Sequence, residues 1–496
     1  MTAKGNICKQ PVVAIVGHID HGKTTLLDYI RKTTVAARET GGITQRVSAY
    51  EAVHEGAEGA RMITFIDTPG HEAFQKMRAR GAKAADIAIL VVAADDGVKP
   101  QTLEAYRAIQ DAKVPFIVAF TKIDKDSANL DRAKESVMKN EIYLEGLGGD
   151  VPYVGVSGKS GAGVPELLDL ITLVSDLHNI SCNADSPVRA TVIESTRDAK
   201  TGLSATVIIK EGTLSVGGFA VTGTALAPLR AIENFTGKKV NEIQCGKPAR
   251  IFGFTEEPAV GAIVTVFKSK ADAEKAVKES ERSSMSPDKE RIEEKSGRVT
   301  VRLLLKADAA GSLEALQHEI AKISVENIDL YVIAEGVGPI TENDIKPLIG
   351  FDKTIVLGFN VKVDTSAKDL AERQRITIEA KPIIYELAEW LSKELVQYQP
   401  EPNADAVTGT VQILKHFSTS GSKHVVGGRV TDGALSLSDR VTIVRRGIEV
   451  GTGKVTNLQA KKLDVSAVPT GTEFGAQIET KADIIAGDIL SAMHKR

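Results

Sequence analysis

The sequence predicts a multidomain α/β and β protein. The expected order is a mostly parallel sheet with helices on both faces, a β-barrel, an α/β sandwich, a connecting helix and a second β-barrel. Three observations carry that expectation. The chain has 496 residues, which at roughly 150 residues per domain is too many for one hydrophobic core. Apolar residues make up 42% and charged residues 26% of it, the balance of a globular chain rather than a disordered or fibrous one. Short Val- and Ile-rich runs alternate with helix-like stretches in two separate blocks, each followed by short strands punctuated by glycine.

Residues 1–10 read as a tail. Over 11–180, the runs Val12 to Val16, Met62 to Ile66, Ile87 to Val92 and Phe116 to Phe120 alternate with helical windows such as Thr102 to Asp111, the signature of a parallel sheet flanked by helices. Over 186–268, strands broken by Gly217-Gly218, Gly223, Gly237 and Gly246 suit a small barrel. Residues 269–298 have Val277, Met285 and Ile292 as their only large apolar residues among many charges, and read as a solvated, partly helical linker. Alternation returns over 299–382 with strand-like Val301 to Leu305, Leu330 to Ala334 and Thr354 to Phe359, and helix-like Ser312 to Ile323. Over 383–402, Ile384, Leu387, Ala388, Leu391 and Leu395 recur at helical spacing and Pro400 and Pro402 end the run. The remainder, 403–496, is strand-and-glycine again.

Several function classes are excluded. The longest clean apolar run, Ile87 to Ala94, spans 8 residues, far short of the roughly 20 a membrane helix needs. MTAKGNICKQ at the amino end has no signal-peptide core, so a cytosolic protein is expected. Lys+Arg 62 against Asp+Glu 65 gives a net charge of -3, so any nucleic-acid contact must come from a local patch. Cys8, Cys182 and Cys245 lie far apart. They suggest incidental buried thiols, neither a disulfide framework nor a metal site.

The chemistry sits in the first block. Gly17-His18-Ile19-Asp20-His21-Gly22-Lys23-Thr24 fits G-x-x-x-x-G-K-[ST] between a strand pattern and a helix that Thr25 opens. In such a loop, backbone N–H groups and the helix amino end cradle phosphates, the lysine reaches the outer phosphates and the threonine hydroxyl ligates Mg²⁺. Asp67-Thr68-Pro69-Gly70 ends the next strand, where Asp67 can hold Mg²⁺ and Gly70 can offer an N–H to a γ-phosphate. His71 follows, where an imidazole could orient an attacking water. Thr121-Lys122-Ile123-Asp124 and Ser157-Gly158-Lys159 end two further strands, the edge at which open α/β sheets bind ligands. A carboxylate at Asp124 accepts from the ring N–H and exocyclic amine of guanine together, which points to GTP rather than ATP.

These motifs, together with Gly41-Gly42-Ile43-Thr44-Gln45, resemble the translational GTPases, and bacterial translation initiation factor 2 most of all. The resemblance continues in Leu305-Lys306-Ala307-Asp308-Ala309-Ala310-Gly311-Ser312, Gly336-Val337-Gly338-Pro339-Ile340-Thr341-Glu342, Gly358-Phe359-Asn360-Val361-Lys362 and Ile383-Ile384-Tyr385. It implies a ribosome-stimulated GTPase that binds initiator tRNA and joins the ribosomal subunits, with GTP and Mg²⁺ as ligands. Its implied partners are both ribosomal subunits, initiator tRNA and other initiation factors, with no membrane, and the chain is expected to be a monomer. It also implies that Thr44 reaches Mg²⁺ and the γ-phosphate, and that His71 orients the hydrolytic water. Lys122 would pack along the phosphate loop and the base, while Ser157 and Gly158 would complete the guanine pocket.

The chain departs from the family at four places. Thr121 stands where the base-recognition motif normally has Asn, which shifts guanine selectivity toward Asp124. Glu473-Phe474-Gly475 stands where the family reads Glu-Cys-Gly, so a phenyl ring would fill much of the formyl-methionyl pocket. The family's basic and aromatic run is thinned to Leu458-Gln459-Ala460-Lys461-Lys462, and only ten residues precede Pro11. Even so, Thr410 to Lys462 contains nine basic residues and three acidic ones, a local charge surplus that suits a phosphate backbone. Arg429, Arg445, Arg446, Lys454, Lys461, Lys462, Glu473, Phe474 and Gly475 are the candidate tRNA-binding residues. Two rivals remain at this stage. One is a diverged ribosome- or RNA-binding paralogue that keeps GTP as a structural ligand. The other is a small-molecule P-loop kinase, against which Asp124 argues.

Overall fold

The computed structural model describes residues 6–32, 44–45, 47–56, 59–198, 201–283, 299–399, 407–445, 448–460 and 463–493. The chain forms two compact units, Met1–Tyr398 and Gln399–Arg496. Among the described residues no helix is long and apolar enough to cross a membrane.

The first unit opens on a six-stranded sheet in the order Ser48–Gly56, Gly59–Asp67, Val12–Gly17, Ile87–Ala93, Phe116–Thr121, Tyr153–Gly155. All pairings are parallel except the hairpin Ser48–Gly56 with Gly59–Asp67. Val12–Gly17 and Ile87–Ala93 are buried at every residue, as continuous apolar strands covered on both faces must be. Leu26, Leu27, Leu167 and Ile171 from helices Lys23–Arg31 and Val164–Leu177 join the core on one side. Ala105, Ile109, Ala133 and Val137 from helices Pro100–Ala112 and Leu130–Met138 join the core on the other. The edge strand Ser48–Gly56 is absent from the sequence reading, because Glu51, His54 and Glu55 interrupt its apolar residues. Its burial alternates instead, with Tyr50, Ala52 and His54 inward, the pattern of a half-covered strand.

The amino end is not merely a tail: Asn6–Cys8 pairs with Ser181–Asn183. Nearby, Asp86 is gripped from three sides. Lys9 Nζ donates to its Oδ1 at 2.8 Å, Lys210 Nζ to the same atom at 2.9 Å, and the Val12 N–H to its Oδ2 at 3.0 Å. Burial alone would raise the Asp86 carboxyl, but Lys210 and Lys9 together hold it below its usual value. Its contribution to stability is therefore present above the unfolded carboxylate pKa and is lost as pH falls through the lower folded value. Asp86→Ala strands two largely buried ammonium groups. It should cost about 3 kcal/mol, read as a lower denaturant midpoint at pH 7 whose gap to the parent narrows in acid.

Next comes an eight-stranded antiparallel sheet, from Arg189–Asp198 to Ile263–Phe267, whose inward residues share one core. This is the first barrel. Two of the three cysteines meet here. Cys182 and Cys245, 63 residues apart in sequence, are brought side by side with Cα atoms at 6.6 Å, and both are buried in the barrel core. Their distance along the chain was misleading because antiparallel strands return the chain to its starting end. The expected charged linker begins as a helix, Lys270–Ser283, whose Ala273 is fully buried; its remainder, 284–298, lies outside the described residues.

A four-stranded parallel sheet follows in the order Ile328–Val337, Val299–Ala307, Thr354–Phe359, Thr377–Lys381. Helix Ile384–Val396 places Ile384, Leu387, Leu391 and Leu395 into the same core as Leu303, Leu305, Ile355 and Leu357. That core also takes in Ala73, Phe74 and Met77, which directly follow the Asp67-to-His71 loop. Gly311 permits this approach: a Cβ there would lie 2.4 Å from the Met77 methyl carbon. Arg80 adds a two-pronged ion pair to Glu314, at 2.6 and 2.8 Å.

The second unit is an antiparallel barrel. Its strands follow the order Val407–Ser420, Ile489–Met493, Arg440–Arg445, Ile448–Ala460, Glu473–Thr480, Lys423–Ser436, and pairing of the last with the first closes the ring. Closure pairs each of these six strands on both sides, and Val411, Val426, Ile443, Val455 and Ile478 fill the interior.

Candidate functional site

The strands Val12–Gly17, Phe116–Thr121 and Tyr153–Gly155 end on one edge of the first sheet. The loops that leave them, with the loop after Asp67, enclose a cavity of 290 Å³. It is lined by Ile19, Asp20, Gly22, Lys23, Thr24, Thr25, Thr44, Gly70, His71, Thr121, Lys122, Asp124, Lys125, Gly158 and Lys159. Apart from Thr44, which comes from the loop before Ser48–Gly56, the lining residues follow the carboxyl ends of parallel strands, where backbone N–H groups and helix amino ends converge. Gly22 caps helix Lys23–Arg31 in the left-handed conformation, φ 83°, which a side chain would strain.

Lys23 is buried, and its ammonium donates to the carbonyls of Gly17 at 3.0 Å and His18 at 2.5 Å. Burial pulls its pKa down to about 8, opposed by the carboxylate of Asp67 and assisted by Arg78. A bound anion would restore its charge. The hydroxyls of Thr24 and Thr44 meet at 2.8 Å, so the two expected Mg²⁺ ligands from distant loops stand side by side. Asp67, 4% exposed, lies below them close enough to act on Lys23.

Gly17, His18, His21, Asp67 and Ser157 stand behind the cavity wall rather than lining it. His21 is buried, accepts from the Ala93 N–H through Nδ1 at 3.2 Å and faces Asp96 through Nε2 at 3.5 Å. Burial lowers its pKa to about 4, so it is neutral and ties the phosphate loop to the strand Ile87–Ala93. Burial also lowers the pKa of His18. Thr121 is buried too, and its hydroxyl donates to the His21 carbonyl. The residue in the Asn position therefore braces the phosphate loop. Asp124 is exposed at the cavity mouth. A hydrogen bond from Ser157, helped by Lys159, keeps its carboxyl below the usual range and hence ionised as an acceptor.

His71 ends the Asp67 loop. Its Nδ1 accepts from the Ala73 N–H at 3.0 Å, leaving the proton on Nε2 in the neutral ring. Burial lowers its pKa, with Glu319 opposing and Lys322 assisting. Arg78 holds the same loop from beneath. It is 1% exposed, pairs with Glu104 at 3.1 Å and donates to the carbonyls of Pro69, at 3.3 Å, and His71. Sequence reading missed Arg78, Gln101 and Lys125. Arg78 looks like a helix-surface residue, and Gln101, which accepts from the Ile19 N–H at 3.2 Å, carries no motif. Lys125 could have been read from its place directly after Asp124; it lines the cavity and pairs with Asp95 at 2.7 Å.

In the second unit the candidate tRNA-binding residues are scattered in character. Arg429 pairs with Glu473 at 2.9 Å, both exposed. Arg445 is committed to Asp488 through two bonds of 2.8 and 2.9 Å. Lys454 is exposed and Gly475 partly so. Phe474, by contrast, is 5% exposed and belongs to the barrel core. A Cβ on Gly428 would lie 2.9 Å from its ring, so the ring occupies space beside a glycine inside the barrel and is not offered to a ligand. Arg446, Lys461 and Lys462 lie outside the described residues.

Comparison with known proteins places these observations. The family model described as "Elongation factor Tu GTP binding domain" matches residues 9–176, "Elongation factor G domain 2" matches 187–267, and "Translation-initiation factor 2" matches 261–392. Translation initiation factor IF-2 of Fervidobacterium nodosum is 42% identical, over 97% of this chain and 71% of its own length. That of Carboxydothermus hydrogenoformans is 40% identical over 98% and 59%, and that of Rubrobacter xylanophilus 39% over 97% and 71%. The chain thus spans about three-fifths to seven-tenths of these relatives. Among solved structures, GDP-bound aIF5B from Aeropyrum pernix is 25% identical, with a TM-score of 0.46, over 97% of this chain and 92% of that one. The sequence relatives are decisive: the chain belongs to the translation initiation factor IF-2 family, with a translational GTPase domain at its amino end.

Proposed function

We propose that the protein is a translation initiation GTPase that binds initiator tRNA, promotes joining of the ribosomal subunits and hydrolyses GTP on the ribosome, working in the cytoplasm as a monomer with other initiation factors. One observation carries this reading: a phosphate loop, a threonine from a second loop and an imidazole from a third meet around a single cavity. The donor set of Thr24, Thr44 and Asp67 is all hard oxygen, as Mg²⁺ requires alongside phosphate oxygens and water. When bound, the ion would supply charge stabilisation to the β- and γ-phosphates. Lys23 and the backbone around Gly22 would hold those phosphates, Gly70 would offer its N–H to the γ-phosphate, and Asp124, with Lys122 and Gly158 beside it, would select guanine. His71 would orient the attacking water through Nε2–H once the ribosome fixes the loop, so that catalysis is mainly positioning. Release of the terminal phosphate would free the Thr44 and Gly70 loops and change how downstream parts sit on the ribosome. Exposed Arg429 and Lys454 on the second unit are the described residues best placed for a tRNA backbone.

Phosphate release on ribosomal subunits carrying initiator tRNA tests the reading. It should show many turnovers per chain. A single turnover or none, with nucleotide bound throughout, would instead make GTP a structural ligand.

A further inference from the structure

The turn that opens helix Ile384–Val396 touches two loops of the nucleotide site at once. The Tyr385 ring lies against the His71 imidazole, with ring centroids 4.9 Å apart and planes tilted by 38°. Three residues earlier in the chain, the Pro382 carbonyl accepts from the Gln45 side-chain amide at 3.1 Å, directly beside Thr44. Neither contact belongs to the core of this helix, whose inward face is Ile384, Leu387, Leu391 and Leu395. Tyr385 is 37% exposed, so its ring is not needed to fill the interior. It does not line the nucleotide cavity, whereas His71 does. It packs beside the imidazole, close enough to Asp20 of the phosphate loop to feel its carboxylate.

We infer that Tyr385 is a positioning residue for His71, holding the imidazole toward the nucleotide cavity, so that the helix leading out of the first unit governs whether hydrolysis can proceed. This rests on the catalytic role proposed for His71. The other restraints on the imidazole, its Nδ1 bond to the Ala73 N–H and an edge-on contact with the Phe74 ring at 6.3 Å, both come from its own short turn and move with it, whereas Tyr385 holds it from a separate element. A residue misplaced by about 1 Å can lose roughly a hundredfold in rate, and loss of one restraint of three is expected to lose less. The same ring keeps water from one side of the imidazole. The charged groups that face His71 are Glu72 on its own turn, Arg78 on the following helix, and Glu319 and Lys322 on helix Ala310–Lys322. Lys322 is itself paired to Glu72 and Glu319, each at 2.9 Å. None of these is changed by substitution at 385.

The test compares the full chain with Tyr385→Ala and Tyr385→Phe in two measurements. In ribosome-stimulated GTP hydrolysis, Tyr385→Ala should lower kcat about tenfold with KM for GTP unchanged, while Tyr385→Phe keeps at least half the parent rate. In an NMR titration of the GDP-loaded chain, with the His71 signal identified by its loss in His71→Gln, Tyr385→Ala should raise the imidazole pKa toward its ordinary value because water gains access. Tyr385→Phe should leave it in place. An unshifted His71 titration in Tyr385→Ala, or a Tyr385→Phe as impaired as Tyr385→Ala, overturns the inference. A parent chain that shows no ribosome-stimulated turnover refutes the proposed function instead, and the titration still decides whether Tyr385 holds His71.

Discussion

His71→Ala should bind GTP as tightly as the parent, within about twofold, and lose ribosome-stimulated hydrolysis by a factor of about 10² to 10⁴, the usual contribution of a positioned acid–base group. The separation of the two effects follows from where the side chain sits. The phosphates are held by Lys23 and the loop around Gly22, and the base by Asp124, whereas His71 lies on the Asp67 loop at the far side of the same cavity. Its ring is neutral near pH 7, since burial lowers its pKa. The rate of the parent should therefore fall only as acid protonates the imidazole, below the ordinary histidine range. Stopped-flow phosphate release and equilibrium nucleotide binding check the two halves. Unchanged turnover in His71→Ala would remove His71 from the mechanism.

Asp124→Ala should abolish guanine selectivity, reducing GTP affinity by roughly a hundredfold or more while ATP affinity stays where it was. A site built to accept two hydrogen bonds from one base discriminates steeply against a base that lacks them, and charge-assisted bonds are the strong ones. Thr121 is no replacement, because it is buried with its hydroxyl held at the His21 carbonyl and offers one neutral oxygen in place of the two of a carboxylate. Asp124 is kept ionised by Ser157, so Ser157→Ala should weaken GTP binding in the same direction but by less. Competition binding of GTP against ATP at fixed salt measures both. Retained preference for GTP in Asp124→Ala would place recognition elsewhere.

The parts of the fold legible in the sequence were those with strong local signals. Val12–Gly17 and Ile87–Ala93 are unbroken apolar runs because both faces are covered, and the helix Ile384–Val396 shows its inward stripe at plain 3.6-residue spacing. Ser48–Gly56 was hidden because an edge strand needs only every second residue to be apolar. The Cys182–Cys245 pair was hidden because strand return, and not chain distance, decides which residues meet. Within the site, motif residues could be named because phosphate and guanine chemistry demands particular groups at particular strand ends. Arg78 and Tyr385 could not. Their roles depend on packing between elements 7 and more than 300 residues away from the loop they hold, and a lone arginine or tyrosine on a helix carries no chemical signature. Phe474, expected from its bulk to fill space where the family has a thiol, packs into the barrel core.

The claim on which the rest depends is that the first sheet's loops form a guanine nucleotide site that closes on the terminal phosphate. Titration calorimetry of the full chain with GTP, GDP and ATP in the presence of Mg²⁺ tests it most directly. One equivalent of GTP and of GDP should bind per chain, with ATP giving no measurable heat at the same concentrations. Absence of heat with GTP or with GDP, or equal binding of ATP and GTP, would contradict the account.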